Sequence, residues 1–228
     1  YETNISDFQL VSYILGRCAT VDEVKAEIAR VHIHGFDPRS STVHWRFAEP
    51  SGRQIVLEII DGKCVFYENN LGVLTNSPSF DWQLTNLNNY VNLLPGRTEP
   101  HTLGNMSLSS FGGGSAMIGL PGDFTPPSRF VRAAFFQSTA PQKPDAEGSV
   151  FTAFHILGSM EIPIGAQFPV DETPADIPSA TQCTCVTDMS GLKFYYRSMY
   201  DGGIRCIDLK EIDFKKIGLK SEPLVPSK

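Results

Sequence analysis

Three short runs rich in β-branched and aromatic residues follow one another in the first third of the chain: "TVHWRFAE" from Thr42, "QIVLEIID" from Gln54 and "KCVFYEN" from Lys63. Each is too short for a stable helix and of ordinary strand length. The first two are separated by a turn around Pro50-Ser51-Gly52, the last two by Asp61-Gly62, a dipeptide suited to a tight hairpin. These runs can only be an antiparallel meander. "GVLTN", residues 72–76, reads as a fourth strand. Such a sheet has an apolar face to cover, so the flanking segments must supply helices.

They do. In "SDFQLVSYILGR", residues 6–17, Phe8, Val11, Ile14 and Leu15 stand at helical spacing behind Ser6 as cap. Thr20 and Glu23 fit a capping box that starts a second helix, with Val21, Val24, Ile28 and Val31 on one face. Residues 79–95 read as an amide-rich helix. Thr125 followed by Pro126 is a strong helix start for "TPPSRFVRAAFF". "GSVFTAFHILGSM" is a further apolar helix, in which His155 is expected as a hydrogen-bonded core residue. The tail returns to strands in "TQCTCVTD", "LKFYYRSM" and "GIRCIDL", with turns at Ser190-Gly191 and Asp201-Gly202-Gly203. No repeat or linker divides the order helices, strands, helices, strands. Residues 1–228 are therefore expected to be a single domain of sheets covered by helices.

Composition excludes some functions. The net charge of −6 argues against nucleic acid, which needs a basic face. No apolar run has the length of a membrane-spanning helix. The five cysteines, Cys18, Cys64, Cys183, Cys185 and Cys206, are an odd number, and Cys183 and Cys185 lack the second ligand pair of a zinc site. His32, His34 and His44 have no supporting carboxylate pattern, so no metal is expected. Gly112-Gly113-Gly114 lacks the surroundings of a phosphate loop, and no GxSxG or HExxH pattern occurs. No cofactor is implied. Two residues stay open on their own chemistry. Asn76, where the apolar run stops, either begins a turn or aims a neutral amide at a substrate. Arg129, in the first turn of its helix, reads by itself as a surface charge.

Three long stretches carry a resemblance. "NNLGVLTNSPSFDWQLTNLNNY" (69–90), "GLPGDFTPPSRFVRAAFF" (119–136) and "AFHILGSMEIPIGA" (153–166) resemble, in order, signatures of the choloylglycine hydrolase family, which contains conjugated bile acid hydrolases and penicillin V acylases. The tail strands resemble the family's C-terminal strands, and "GDFTPPSRF" is most similar to the Gram-negative branch, which includes acyl-homoserine-lactone acylases.

The resemblance implies an α+β fold, the four-layer αββα sandwich of the N-terminal nucleophile hydrolases. It implies a cysteine nucleophile at a processed chain N-terminus, whose α-amino group, titrating at roughly 7.7–8.0, accepts the proton without a catalytic histidine. Asn76 then matches an oxyanion-hole amide, and Arg129 the arginine beside the nucleophile, where a permanent cation favours the thiolate. The chain begins with Tyr1, so the expectation is that it is the C-terminal part of such an enzyme, inactive without a segment that carries the cysteine. The activity implied is hydrolysis of a linear amide in an acylated small molecule: penicillin V, a conjugated bile acid or an acyl-homoserine lactone. The alternative is a non-catalytic fragment or subunit that binds an amphipathic ligand. The implied partners are the N-terminal segment and the small-molecule amide, with no nucleic acid and no membrane span; homo-oligomerisation stays open. Localisation would be periplasmic in a Gram-negative source and cytoplasmic otherwise. The segment His32–Thr42 is expected to be a loop over the acyl pocket, with Ile33 and Phe36 as apolar contacts.

Overall fold

The structure, a computed structural model, describes residues 3–36, 43–169, 171–172, 180–221 and 223. It contains two compact units, residues 1–139 and 140–228.

The first unit is organised by the expected meander. Strands β3 (Trp45–Ala48), β4 (Gln54–Ile60) and β5 (Lys63–Glu68) form an antiparallel sheet with β4 central; Trp45 pairs with Leu57, and Leu57 with Phe66. Successive side chains of a strand point to opposite faces, and here both faces are covered. Ile55 and Leu57 pack with Leu10, Ile14, Val24, Ile28 and Ile33. Val56 packs on the other side with Val73, Phe80, Phe130 and Ala134. Burial on both faces is why "QIVLEII" is an almost unbroken apolar run instead of an alternating one.

The helices on the first face are α1 (Asp7–Leu15) and α2 (Val21–Ile28). The capping box of α2 is present: Glu23 N donates to Thr20 Oγ1 at 3.3 Å, and Thr20 N to Glu23 Oε2 at 3.1 Å. The buried face of α1 differs from expectation. Asp7, Leu10 and Ile14 are buried, whereas Phe8, Val11 and Leu15 are exposed. Leu10 and Ile14, one turn apart, form the stripe that packs with Ile55 and Leu57. The strand entering the helix, β1 (Thr3–Ser6), pairs in parallel with β2 (Val31–His34).

The other face is covered by α3 (Phe80–Asn86), which continues as a 3-10 turn over Leu87–Tyr90, and by α4 (Pro126–Thr139). A small hairpin, β6 (His101–Leu103) and β7 (Met106–Leu108), lies between them in sequence. The expected strand over 72–76 is absent. Asn69, buried, takes over the work of a ladder: its Oδ1 accepts from Gly72 N at 2.8 Å and its Nδ2 donates to Val73 O at 3.1 Å. Gly72, at φ 74°, turns the chain where an L side chain is strained. The segment is thus an irregular span held by side chains.

In the second unit, α5 (Ala146–Gly158) packs on a sheet of β8 (Cys183–Asp188), β9 (Lys193–Ser198) and β10 (Asp201–Asp208), with β9 central. Asp145 caps α5, its Oδ1 accepting from Gly148 N at 2.6 Å. Asp201-Gly202-Gly203 opens β10 as an irregularity in register and is not a separate turn. His155 is exposed, correcting the expectation of a core residue: the buried positions of α5 are Val150 and Phe154.

Candidate active site

Asn76 lies in the irregular span after Val73, and its side chain is held by α4. Arg129 Nη2 donates to Asn76 Oδ1 at 2.9 Å. A guanidinium only donates, so this contact fixes which end of the amide is oxygen and turns Nδ2 away as a donor. Among the described residues Nδ2 has no protein partner, and Asn76 is exposed. The backbone is pinned as well. Gln83 Nε2 on α3 donates to Asn76 O at 3.3 Å, and Thr75 Oγ1 donates to Pro126 O at 3.1 Å. The structure therefore brings together the two residues expected at the site, 53 positions apart in sequence.

Arg129 is itself oriented. Its Nε donates to Phe124 O at 3.0 Å. Burial and, secondarily, Arg132 pull it below its ordinary value, but guanidinium titrates so far above neutrality that it stays a cation. The bend that presents Phe124 O is held from two sides. Arg132 is buried on α4, and its Nη1 donates to Pro121 O at 2.7 Å and to Asp123 O at 2.6 Å. The Asp123 carboxylate accepts from Thr125 Oγ1 at 2.6 Å, Ser128 Oγ at 2.7 Å and Thr125 N at 2.9 Å. Those bonds, the side-chain hydroxyls first, hold its carboxyl down at about 2. The strong helix start seen in sequence at Thr125-Pro126 is thus also the mounting of Arg129.

Beneath the loop lies a buried pair that sequence reasoning missed. His44 Nδ1 is 3.0 Å from Glu58 Oε1, with side chains 9% and 2% exposed. Glu58 Oε1 also accepts from Phe80 N at 2.7 Å, tying the strand to the start of α3. Burial pushes the Glu58 carboxyl up, and burial pulls His44 down against an opposing hydrogen bond to the Thr75 backbone. The signal was available: Glu58 is a carboxylate in the middle of an apolar central strand, a position that only a paired or protonated acid tolerates.

Ile33 and Phe36 are placed elsewhere. The expected loop is in part strand, since Val31–His34 is β2; residues 37–42 lie outside the described residues. Ile33 is 6% exposed and packs into the α1–α2 cluster, because β2 pairs with β1 and directs alternate side chains inward. With Ile28, Ile59, Cys64 and Phe66 it lines a cleft of about 290 Å³. Phe36, 74% exposed, meets Phe8 edge-on at 6.0 Å.

Comparison with known proteins defines the class first. A cysteine-to-alanine mutant of conjugated bile acid hydrolase from Clostridium perfringens superposes with a TM-score of 0.83 at 32% identity, covering 97% of this chain and 68% of that one. The fold is the α+β fold of the N-terminal nucleophile hydrolases. The chain belongs to the choloylglycine hydrolase family of linear amide C-N hydrolases, whose model matches residues 1–222. It is 35% identical over 215 residues to a bile salt hydrolase/transferase of Clostridium perfringens, covering 92% of this chain and 64% of that protein. It is 30% identical over 228 residues to a penicillin V acylase of Pectobacterium atrosepticum, covering 90% of this chain and 53% of the acylase. The chain thus spans under two thirds of the length of both these relatives.

Proposed function

We propose that Asn76 and Arg129 are half of the active site of an acylase that cleaves the linear amide of an acylated small molecule: penicillin V, a conjugated bile acid or an acyl-homoserine lactone. The observation that carries the reading is the Arg129–Asn76 bond, which leaves Nδ2 as an immobilised neutral donor. A donor fixed before reaction stabilises the tetrahedral oxyanion without reorganisation and without titrating. Arg129 would add a fixed positive charge that favours a thiolate beside it.

The nucleophile of this proposal is an N-terminal cysteine on a segment outside residues 1–228. The thiols of Cys18 and Cys64 are pushed up by burial. Cys185 is pushed up to about 11, by burial and then by Cys183. That is the wrong direction for a nucleophile, which must be a thiolate near neutral pH. On this reading the two units belong to one domain, and the partners of the chain are the nucleophile segment and the amide substrate.

The test uses the full-length protein with penicillin V, glycine-conjugated bile acid and a long-chain acyl-homoserine lactone. Asn76→Ala should lower kcat by about a hundredfold or more on the preferred substrate. Asn76→Asp still accepts from Arg129 and should keep the melting temperature, yet it should lose as much turnover because it offers no donor. Near-normal kcat in either variant refutes the oxyanion assignment. A wild-type protein that hydrolyses none of the three refutes the acylase.

A further inference from the structure

Asn76 is gripped at both of its oxygens, by two different helices. At the side chain, Arg129 Nη2 on α4 donates to Oδ1 at 2.9 Å. At the backbone, Gln83 Nε2 on α3 donates to Asn76 O at 3.3 Å. Three bonds, those of ψ, χ1 and χ2, turn between these anchors. Fixing both oxygens therefore leaves the amide little room, and the direction of Nδ2 follows. Without Gln83 the peptide that carries the side chain can tilt, and Nδ2 tilts with it.

Gln83 sits in an uncommon place for such a group. It is buried, and its Oε1 has no hydrogen-bond partner among the described residues. A carbonyl only accepts, so the nitrogen end of the Gln83 amide is the one that faces Asn76 O, and the orphaned oxygen is the other end. A buried amide with half of its capacity unused carries a desolvation cost that an apolar residue of the same size would avoid. Among the described residues, the bond to Asn76 O is the one that the Gln83 side chain makes.

The anchor is rigid for reasons that lie in the fold. At the start of α3, Phe80 N donates to Glu58 Oε1 on the central strand at 2.7 Å. The Phe80 ring packs on Phe130 of α4 and Tyr67 of β5. Gln83 follows Phe80 by three positions, and these two are the buried residues of α3, on one face of the helix. Helical side chains lean toward the helix N-terminus, which lets Gln83 reach a carbonyl seven positions earlier in the chain. On the other side, Thr75 Oγ1 donates to Pro126 O at 3.1 Å and ties the residue before Asn76 to α4.

We propose that Gln83 is a positioning residue for the amide hydrolysis, acting through the Asn76 carbonyl to hold the peptide so that Nδ2 stands where the oxyanion forms. It touches no reacting atom. It is the counterpart on α3 of Arg129 on α4. A misplacement of about 1 Å can cost on the order of a hundredfold in rate. A donor aimed at the oxyanion acts in the transition state, so the loss belongs to kcat and not to KM. The inference rests on the proposed oxyanion role of Asn76.

The experiment compares full-length wild type with Gln83→Met, Gln83→Leu, Asn76→Ala and the Gln83→Met/Asn76→Ala double variant. Methionine keeps the length of glutamine and leucine its approximate bulk, and neither donates. Each Gln83 single variant should lower kcat about tenfold or more, with KM changed less than about twofold. The melting temperature should stay within a few degrees, because the orphaned oxygen is removed together with the donor. On top of Asn76→Ala, the Gln83→Met change should lower kcat by less than about twofold, since nothing is left to position. An equal loss in both backgrounds overturns the proposal, as does wild-type kcat in Gln83→Met or Gln83→Leu. Independently of turnover, the Asn76 side-chain amide cross-peak of asparagine-labelled protein, identified by its disappearance in Asn76→Ala, should shift in Gln83→Met. An unmoved cross-peak overturns the proposal too. A wild type without amide turnover defeats the functional proposal alone, because the cross-peak still decides whether Gln83 holds Asn76.

Discussion

Replacing Phe80 by alanine probes whether the sheet face beneath the site is a closed core. Phe80 is 1% exposed, with its ring centroid 6.0 Å from that of Phe130 and 5.6 Å from that of Tyr67. Truncating a buried phenylalanine loses its transfer free energy and leaves a cavity, about 3–5 kcal/mol together. The edge-on contact with Phe130 belongs to that total, as about 0.5–1.5 kcal/mol of it. The cavity would sit between β4 and α4, and neither can close on it freely. Val56 is on the central strand, and α4 is tied to the Thr75 loop through Pro126 O. The upper part of the range is therefore expected. For a protein of this size the melting temperature should fall by about 6–20 °C. The comparison is Phe111→Ala at a fully exposed ring, which should change stability by less than about 0.5 kcal/mol. Urea melts of both variants of the full-length protein, read by linear extrapolation, give the two numbers. A Phe80→Ala loss under about 1 kcal/mol would refute the closed core, and with it the idea that Gln83 is held firmly enough to orient Asn76.

Further expectations concern the surroundings. Asp123 is held at about 2 by the Thr125 and Ser128 hydroxyls, below its ordinary value of roughly 3.9. Its contribution should be complete above pH about 4 and vanish as pH falls from there toward about 2. The melting temperature of wild type should thus exceed that of Asp123→Asn at neutral pH and converge with it in acid, and a constant difference down to pH 2 would contradict this. In the second unit, Glu161 Oε1 accepts from Arg197 Nη2 at 2.7 Å and Nε at 3.1 Å and also meets Thr184 Oγ1. Glu161→Ala should cost about 1–2 kcal/mol in a denaturant melt, and Glu161→Gln, which keeps an acceptor, should cost less. Cys185, pushed up to about 11, should resist iodoacetamide at pH 8 and label progressively as pH approaches 11, followed by peptide mass spectrometry; fast labelling at pH 8 would show an unshifted thiol.

Local chemistry determined much of this protein from the sequence alone. Strand periodicity with Asp61-Gly62 specified the β4–β5 hairpin, Thr20 and Glu23 specified the start of α2, and Thr125-Pro126 that of α4, because each signal acts within a few residues. The long motifs around Asn76 and Arg129 carried the family. Other features needed the third dimension. Which stripe of α1 turned inward is set by packing on the sheet, where Leu10 meets Ile55 and Leu57 while Phe8 stays exposed. Ile33 became core because a distant strand, β1, took β2 as its neighbour. "GVLTN" lost its strand because the Asn69 side chain satisfied the backbone in place of a ladder. The Asn76–Arg129 bond and the His44–Glu58 pair join residues 53 and 14 positions apart. Such contacts form only when packed helices and strands bring the partners together. Whether a buried carboxylate is tolerated is likewise decided by the neighbours that packing supplies, which no local pattern encodes.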